Sequence, residues 1–293
     1  MMNNKEIQEN SGIRKFFLEH QLPLFFVFAF AITWGIAASV LLFMPIYIEA
    51  WGPVSLENPN YRALWMIAVY SPAISAFIII SIAYGKRGLY AYLKRLLNWR
   101  FKILGIVILA SIFVIGICAY LIFVTIWGRS TSIMQPWYII IFLGLLSLIY
   151  DPGPMEELGW RGFALPHLQK KYNALRSSII LGVIWGIWHL PAFYITALPQ
   201  SSLSLPLFII DSISMSIIMT VAYNKGSEGS IPLAFLIHWA GNLITSIFNI
   251  QDIRLFLIFA ILETCFAIVL IILFGPKNLG DEKQIIAVPI NDE

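Results

Sequence analysis

Long apolar stretches separated by short polar ones dominate this chain of 293 residues. A helix that crosses a lipid bilayer needs about 20 predominantly apolar residues, and the sequence offers eight runs near that length. The runs comprise residues 22–44, 63–84, 103–127, 130–150, 177–198, 203–223, 231–250 and 255–274. The pattern therefore predicts an all-α fold, a polytopic membrane helical bundle of about eight transmembrane helices.

Basic residues are distributed unevenly between the loops on alternate sides of the predicted spans. All of the 19 Lys and Arg residues fall on the side that carries both termini, except for Arg62, Arg129 and Arg254. Loops on the cytoplasmic side of a membrane carry an excess of Lys and Arg. We therefore expect a multi-pass protein of the cell membrane with both termini in the cytoplasm.

The composition agrees with a membrane protein and excludes several other classes. Hydrophobic residues make up 59% and charged residues 12% of the chain, whereas a soluble domain carries roughly 25% charged residues. The net charge of +3 is too small to predict a nucleic-acid partner. Cys118 and Cys265 lie in separate apolar runs, so they predict neither a disulfide framework nor a C-x-x-C site. The expected partner is the lipid bilayer.

The alternation of apolar and polar stretches also divides the chain into segments. We predict a cytoplasmic N-terminal segment at 1–21, three transmembrane helices at 22–129, a core at 130–250, the last transmembrane helix at 251–274 and a polar tail at 275–293. The loop at 85–102 interleaves leucines and aromatic residues with Lys and Arg. This composition is typical of an amphipathic helix on an anionic membrane surface, and a solvated basic loop is the alternative.

Ionisable side chains at membrane depth are costly and usually functional, and the densest group of them lies in DPGPMEELGWRGFALPHL at 151–168. Pro154 is a helix-start signal, and Glu157 and Arg161 are spaced to form an i,i+4 salt bridge. Glu156 points about 100° away on the same helix, so it has no basic partner there. We therefore predict that Glu156 is the free carboxylate, suited to general-base chemistry. Solvated acids on an interfacial helix are the alternative.

Three further polar residues lie inside the apolar runs of the second half. His189 is followed by Pro191, which lacks a backbone N–H and disrupts a helix. His238 and Asn242 are spaced i,i+4, so their side chains share a helix face. We predict that these residues converge with Glu156 in a cavity open to the cytoplasmic side. Histidines that only fill a buried core are the alternative.

The same residues form three motifs of a known family. EELGWR, which begins at Glu156, resembles the motif EExxxR; WGIWH, which ends at His189, resembles FxxxH; and HWAGN resembles HxxxN. This set is similar to the CPBP family, the CAAX-protease and bacteriocin-processing intramembrane endopeptidases, also called the Abi family. The resemblance covers roughly residues 136–250 and departs from the family pattern at Trp185, where the family has Phe. It implies an eight-helix bundle with a membrane-embedded chamber that faces the cytoplasm.

The resemblance also implies a mechanism. Glu156 and His189 would activate a water molecule for attack on a peptide bond. His238 and Asn242 would stabilise the oxyanion of the tetrahedral intermediate. Supporting roles would go to Glu157, Arg161 and Trp185. The implied substrates are prenylated or other membrane-associated peptides, cleaved near the C-terminus.

Members of this family are often labelled metalloproteases, which keeps two versions of the mechanism open. Glu156, His189 and His238 are the side chains that would ligate a divalent metal such as zinc. A mechanism carried by the glutamate and the histidine alone needs no ion. The sequence therefore predicts no firm cofactor.

Other proteins with polar groups in the membrane fit the sequence less well. It contains neither the H-E-x-x-H motif of zinc site-two proteases nor the G-x-S-G motif of rhomboid proteases. Tyr150 and Asp151 resemble the YD pair of presenilin-type aspartyl proteases, with Asp211 as a candidate second acid, but the G-x-G-D context is missing. Asp211 and Glu263 would also suit a transporter, although the internal repeat typical of transporters is absent. A structural or gating role fits these two acids better.

The main alternative to an enzyme is a non-catalytic membrane protein, such as a bacteriocin-immunity or scaffold protein that binds a peptide. Such a protein is expected to lose Glu156, His189 or His238, and all three are present. The enzyme interpretation is therefore preferred. No motif in the sequence specifies the physiological substrate or the oligomeric state.

Overall fold

In the computed structural model of this chain, residues 4–128, 137–248, 250 and 252–279 are described. Helices form every regular element within these residues, which confirms the predicted all-α fold. The α-helices are, in chain order, α1 (Asn4–Glu19), α2 (Gln21–Leu42), α3 (Met44–Trp51), α4 (Pro59–Val69), α5 (Ser71–Lys94), α6 (Ile103–Trp127), α7 (Trp137–Tyr150), α8 (Glu156–Gly159), α9 (Leu165–Gln169), α10 (Ala174–Trp188), α11 (Leu205–Asn224), α12 (Ile231–Ile247) and α13 (Ile253–Phe274). Shorter 3₁₀ turns lie at Arg95–Leu97, Gly153–Met155, Leu190–Tyr194 and Pro199–Ser202, and a π-helical turn lies at Trp160–Ala164.

Five of the described helices are long and apolar enough to cross a membrane: α2, α6, α10 with the turn that follows it, α11 and α13. Helices α4 and α5 together make a sixth candidate, bent by 52° where they join. The two remaining predicted spans correspond to α12, which has 17 residues, and to α7, whose predicted beginning at 130–136 falls outside the described residues. The helices therefore agree with a polytopic membrane bundle, and the count of eight spans stays a prediction.

Two of the predicted segments, 1–21 and 85–102, can be compared with helices in the structure. Helix α1 occupies most of the predicted N-terminal segment, and α5 continues into the predicted loop at 85–102 as far as Lys94, across a kink at Gly85 with a φ of 64°. Residues 1–3 and 280–293, which include most of the predicted polar tail, lie outside the described residues. The cytoplasmic location of both termini stays a prediction.

The apolar run predicted as one span at 63–84 is divided in the structure between α4 and α5. Pro72 lies in the first turn of α5 and has no N–H, so the carbonyl oxygen of Ala68 loses the partner that an unbroken helix would give it. The hydroxyl of Thr33 on α2 donates to that oxygen at 2.8 Å instead. The apolar pattern alone did not predict the break between α4 and α5. The donor that replaces the lost hydrogen bond to Ala68 is Thr33, which lies 35 residues away in the sequence.

Helix α8 carries the candidate carboxylates and contacts both α5 and α12. Gly159 at its end lies against Pro72, and a Cβ atom on Gly159 would come within 2.5 Å of the Pro72 backbone, so only glycine allows this approach. Trp160 is fully buried and packs edge-on against Phe25 of α2, with ring centroids 5.4 Å apart. These contacts hold α8 and the turn after it in the core of the bundle.

Candidate active site

The segment that contains both glutamates is not one regular helix. Asp151 begins it, and its Oδ1 accepts a hydrogen bond from the backbone N–H of Gly153 at 3.0 Å. The 3₁₀ turn after Pro152 leads into α8 at Glu156, and the π-helical turn follows from Trp160. Such π turns inside helices occur frequently at functional sites. Each glutamate has a side-chain partner four residues further along the chain.

Glu157 and Arg161 form the predicted ion pair. Nη1 of Arg161 donates to both carboxylate oxygens of Glu157 at 2.9 Å, and both side chains are fully buried. The guanidinium also lies over the ring of Trp185, 4.8 Å from its centroid. His238 on α12 is a further partner, since its Nδ1 donates to Oε1 of Glu157 at 2.9 Å. Glu157 therefore connects α8 to α12 and accepts from two basic groups.

Glu156 has no basic partner among the described residues, but the prediction that it is a free carboxylate was wrong. Its Oε2 accepts a hydrogen bond from Nε1 of Trp185 at 2.7 Å and a longer one from Nε1 of Trp160 at 3.2 Å. The sequence did not show this, because Trp185 belongs to α10 and only the fold brings it beside α8. Two neutral donors hold the carboxylate in place without pairing it with a cation, which leaves it available as a general base.

His189 follows the last residue of α10, and Pro191 lies in the 3₁₀ turn beyond it. Nδ1 of His189 lies 2.9 Å from the carbonyl oxygen of Trp185. Since a carbonyl oxygen only accepts, Nδ1 carries a proton, and the neutral ring keeps its lone pair on Nε2. The ring packs against Trp188 and Phe208 at centroid distances of 4.7 and 5.0 Å. These contacts fix the orientation of the imidazole.

His238 and Asn242 lie on α12, one turn apart as their spacing predicts. Nδ2 of Asn242 donates to Oδ2 of Asp151 at 3.0 Å. Gly153 adjoins both side chains: a Cβ atom there would be 2.5 Å from Nδ2 of Asn242 and 3.5 Å from Nε2 of His238. Because Nδ1 of His238 donates to the Glu157 carboxylate, Nε2 becomes a donor only when the ring is protonated.

A cavity of about 190 Å³ joins these side chains. Its polar lining includes Asp151, Glu156, His189, His238 and Asn242. Much of the remaining lining is apolar and comes from α2, α4 and the turns after α10, with Val40, Val69 and Leu198 among its members. The structure thus brings the four residues predicted to be catalytic to one cavity. The three predicted supporting residues, Glu157, Arg161 and Trp185, contact this group without lining the cavity.

The region that holds this site, residues 133–244, matches the profile of the family described as Type II CAAX prenyl endopeptidase Rce1-like. Over 235 residues, which are 75% of this chain and 82% of the relative, the chain is 26% identical to CAAX prenyl protease 2 of Methanococcus maripaludis. Both matches support the CPBP family for this chain. This CPBP protease is therefore an intramembrane enzyme, and the family match includes all four residues predicted to be catalytic. The resemblance carried by the three motifs is confirmed.

Asp151 is a cavity residue of this CPBP protease that the motifs did not identify. The sequence marks it as an acid at the end of an apolar run, and nothing in the spacing connects it with Asn242, 91 residues further on. The signal that points to it is the Asp-Pro-Gly tripeptide, since an aspartate before a tight turn commonly holds its own backbone. By contrast, Asp211 and Glu263 lie on α11 and α13 and do not line the cavity.

The residues present do not fit a resident metal ion in this arrangement. Within the described part of the chain, no three His, Cys, Asp or Glu side chains lie close enough together to hold one. In the expected ligand set, Glu156, His189 and His238, Oε2 of Glu156 accepts from two indoles and Nδ1 of each histidine donates to oxygen. Only Oε1 of Glu156 and the two Nε2 atoms would be left to hold an ion, and the three side chains do not lie close enough together to do so.

Proposed function

We propose that this CPBP protease hydrolyses a peptide bond near the C-terminus of prenylated or other membrane-associated peptides. The observation that supports the proposal is the meeting of Glu156, His189, His238 and Asn242 in one cavity whose other walls are largely apolar. A polar end supplies the groups for hydrolysis, and apolar walls suit a lipid-modified substrate. The names of the matching family and of the relative point to the same substrate class.

Glu156 and His189 are the proposed bases. A water molecule that attacks the peptide carbonyl carbon must lose a proton, and two groups are available to accept it: the Glu156 carboxylate and Nε2 of neutral His189. The proton then passes to the amine nitrogen as the C–N bond breaks. The indole of Trp185 donates to Glu156 and its carbonyl oxygen accepts from His189, so one residue orients both bases.

Asn242 and His238 are the proposed donors to the oxyanion. Nδ2 of Asn242 carries two N–H groups, and Asp151 accepts only one of them. His238 donates from Nε2 when its ring is protonated, and the Glu157 carboxylate at Nδ1 stabilises that charge. In other enzymes one such donor contributes about 3 to 4 kcal/mol to transition-state stabilisation. Asp151 and Glu157 are thus positioning residues for the two donors.

We also propose that the cavity opens to the cytoplasmic side of the cell membrane. The support is the basic residues that adjoin the active-site segment: Lys170 and Lys171 follow α9 and are exposed, and Nη1 of Arg95 donates to the carbonyl oxygen of Gly162 at 2.6 Å. An excess of Lys and Arg marks the cytoplasmic face of a membrane protein. The substrate's C-terminus would therefore reach the site from the cytoplasm.

The test is cleavage by the purified protein in lipid vesicles, with a panel of prenylated CAAX peptides and membrane-associated leader peptides. Glu156→Gln is expected to abolish cleavage while the protein still folds, because the amide oxygen still accepts from the two indoles but is no base. Cleavage that persists with a strong chelator supports the mechanism above. Chelator sensitivity reversed by one ion would instead support a metal held by Glu156, His189 and His238.

Glu157→Gln is the matched control at the neighbouring position. It leaves Arg161 buried without its counter-charge, and breaking a buried ion pair costs roughly 3 to 5 kcal/mol of stability. We expect a lower melting temperature, measured by thermal unfolding in detergent, together with a partial loss of turnover, because His238 loses the carboxylate that stabilises its charge. A stable but inactive Glu157→Gln protein together with an active Glu156→Gln protein would show that Glu157, and not Glu156, is the base. If the Glu156→Gln protein still protected cells against a bacteriocin, that result would favour the alternative of a non-catalytic binding protein.

A further inference from the structure

The residues that follow the kink at Gly85 present a mixed basic and apolar surface. We define the basic interfacial segment as residues 86–102, which comprise the second part of α5, the 3₁₀ turn after it and the residues before α6. Three of its large apolar side chains are well exposed, namely Tyr90 (71%), Leu97 (76%) and Trp99 (58%). Its exposed basic side chains are Lys86, Arg87, Lys94, Arg100 and Lys102.

Most of these cations have no acidic counterpart. Lys102 forms an ion pair with Glu228 at 3.1 Å, whereas no acid in the described part of the chain lies within salt-bridge distance of the other four. Exposed aromatic and aliphatic side chains favour the boundary between lipid tails and headgroups, and a surplus of Lys and Arg favours anionic headgroups. The combination is complementary to an anionic leaflet more than to a neutral one.

The opposite face of the segment contacts the backbone of the active-site segment. The hydroxyl of Tyr92 donates to the carbonyl oxygen of Leu158, and Nη1 of Arg95 donates to that of Gly162 at 2.6 Å. Tyr92 is buried, and a Cβ atom on Gly162 would collide with its hydroxyl oxygen, so the Tyr92 side chain fits closely against the backbone at Gly162. Leu158 and Gly162 follow Glu156 by two and six residues. A shift of the interfacial segment would therefore be transmitted to the candidate base.

We propose that the basic interfacial segment binds anionic lipid headgroups of the inner leaflet, and that this binding holds α8 in its active position through Tyr92 and Arg95. The inference rests on the proposed function insofar as the regulated activity is peptide hydrolysis. The exposed cations supply the attraction, and the buried face supplies the connection to the site. Lipid composition is thereby a regulator of this CPBP protease.

The first test compares turnover of the full chain in phosphatidylcholine vesicles with turnover in vesicles that also contain phosphatidylglycerol. We expect a rate about fivefold higher in the anionic vesicles, the factor that corresponds to one basic residue near such a surface. High salt should reduce the difference, since it screens exposed charges. Equal rates in the two lipids would overturn the proposal.

A pair of triple variants assigns the effect to the segment. Lys86→Gln, Arg87→Gln and Lys94→Gln together should abolish the stimulation by phosphatidylglycerol. Lys15→Gln, Lys170→Gln and Lys171→Gln together remove the same charge from exposed positions elsewhere and should retain it. Equal loss in both variants would mean that overall charge, not this segment, responds to the lipid.

Hydrogen exchange separates a failure of this proposal from a failure of the proposed chemistry. The inactive Glu156→Gln protein is examined in both lipids, so the readout does not depend on turnover. Anionic lipid should slow the exchange of amides at 86–99 and also at 158–164. In Tyr92→Phe, which lacks the donor to Leu158, the slowing should persist at 86–99 and weaken at 158–164. Unchanged exchange at 158–164 in the Glu156→Gln protein would overturn the coupling.

Discussion

Asp151 shows how one carboxylate serves two neighbours in the candidate site. Its Oδ1 accepts from the Gly153 backbone and its Oδ2 from Asn242, so the turn before α8 and the amide on α12 are fixed by the same side chain. A Cβ atom on Gly153 would lie 2.5 Å from Nδ2 of Asn242, so a larger residue there would displace the Asn242 amide. The orientation of Asn242 therefore depends on a residue outside the three motifs.

We predict that Asp151→Asn lowers kcat about tenfold or more and leaves KM little changed. The change puts an amide where a charged acceptor held Asn242, and a misplaced oxyanion donor costs transition-state stabilisation rather than substrate binding. Steady-state kinetics in vesicles measures the two constants. Asp252→Asn is the control, since Asp252 also begins a helix but lies outside the cavity. A raised KM with an unchanged kcat would assign Asp151 to substrate binding instead.

The candidate site could be predicted from the sequence where local spacing determines geometry. Glu157 and Arg161 are one turn apart, and their ion pair follows from that spacing. The indole of Trp185 beside Glu156 could not be predicted, because 29 residues separate the two and only the packing of α10 against the active-site segment joins them. The same holds for the contact of His238 with Glu157.

At the scale of elements, His167 shows how α9 is secured to the first helices. Nδ1 of His167 donates to the carbonyl oxygen of Phe163 at 2.6 Å, and its Nε2 lies 3.1 Å from Oε1 of Gln21 at the start of α2. Its ring lies 4.3 Å from that of Phe163. Helix α9 is outside the candidate spans, and burial lowers the pKa of His167 from 6.5 to about 4.

We predict that acidification destabilises the protein through His167. The unfolded chain binds a proton near pH 6.5, whereas the folded protein binds it only near pH 4, so folding stability falls as the pH drops between these values, by about 3 kcal/mol. His167→Gln should flatten this part of the stability curve, measured by thermal unfolding against pH. The control is His20→Gln, because His20 is exposed and makes a similar contact with Phe16. Identical pH slopes in the wild type and His167→Gln would contradict the assignment.

Helical elements were predictable where a run of apolar residues continues without interruption, as in α6 and α13. The division between α4 and α5 was not, although Pro72 is visible in the sequence. A proline by itself does not show whether a helix bends or ends, because the outcome depends on what replaces the lost hydrogen bond. Here Thr33, 35 residues before Ala68, supplies the replacement donor.

At the scale of the molecule, the cavity is built from both halves of the chain. The four residues predicted to be catalytic and Asp151 come from 151–242, whereas α2 and α4 contribute apolar wall residues such as Ala37, Val40 and Val69. The family match at 133–244 covers the first group and not the second. The sequence therefore predicted the chemical end of the site but not its apolar walls, which carry no motif.

We predict that Ala37→Phe selectively impairs prenylated substrates. Ala37 is buried in the cavity wall, and a small mismatch in an apolar pocket costs about 1 to 3 kcal/mol of substrate binding, so we expect a KM about tenfold higher for a prenylated peptide. The unprenylated peptide of the same sequence should be cleaved as before. Ala38→Phe, exposed on the same helix, is the control. An equal loss on both peptides would indicate a general distortion of the cavity.

The contribution of two halves to one cavity separates two tasks that evolution can change independently. The residues proposed to cleave the peptide lie on α8, just after α10 and on α12, and apolar residues proposed to contact the lipid-modified part of the substrate lie on α2 and α4. Substitutions in α2 and α4 would change which lipid-modified peptides fit the cavity, while the proposed catalytic residues stay the same. Proteins that share the three motifs can therefore differ in substrate specificity. A chimera that exchanges only the first third of the chain would take on the substrate preference of the protein that donated it.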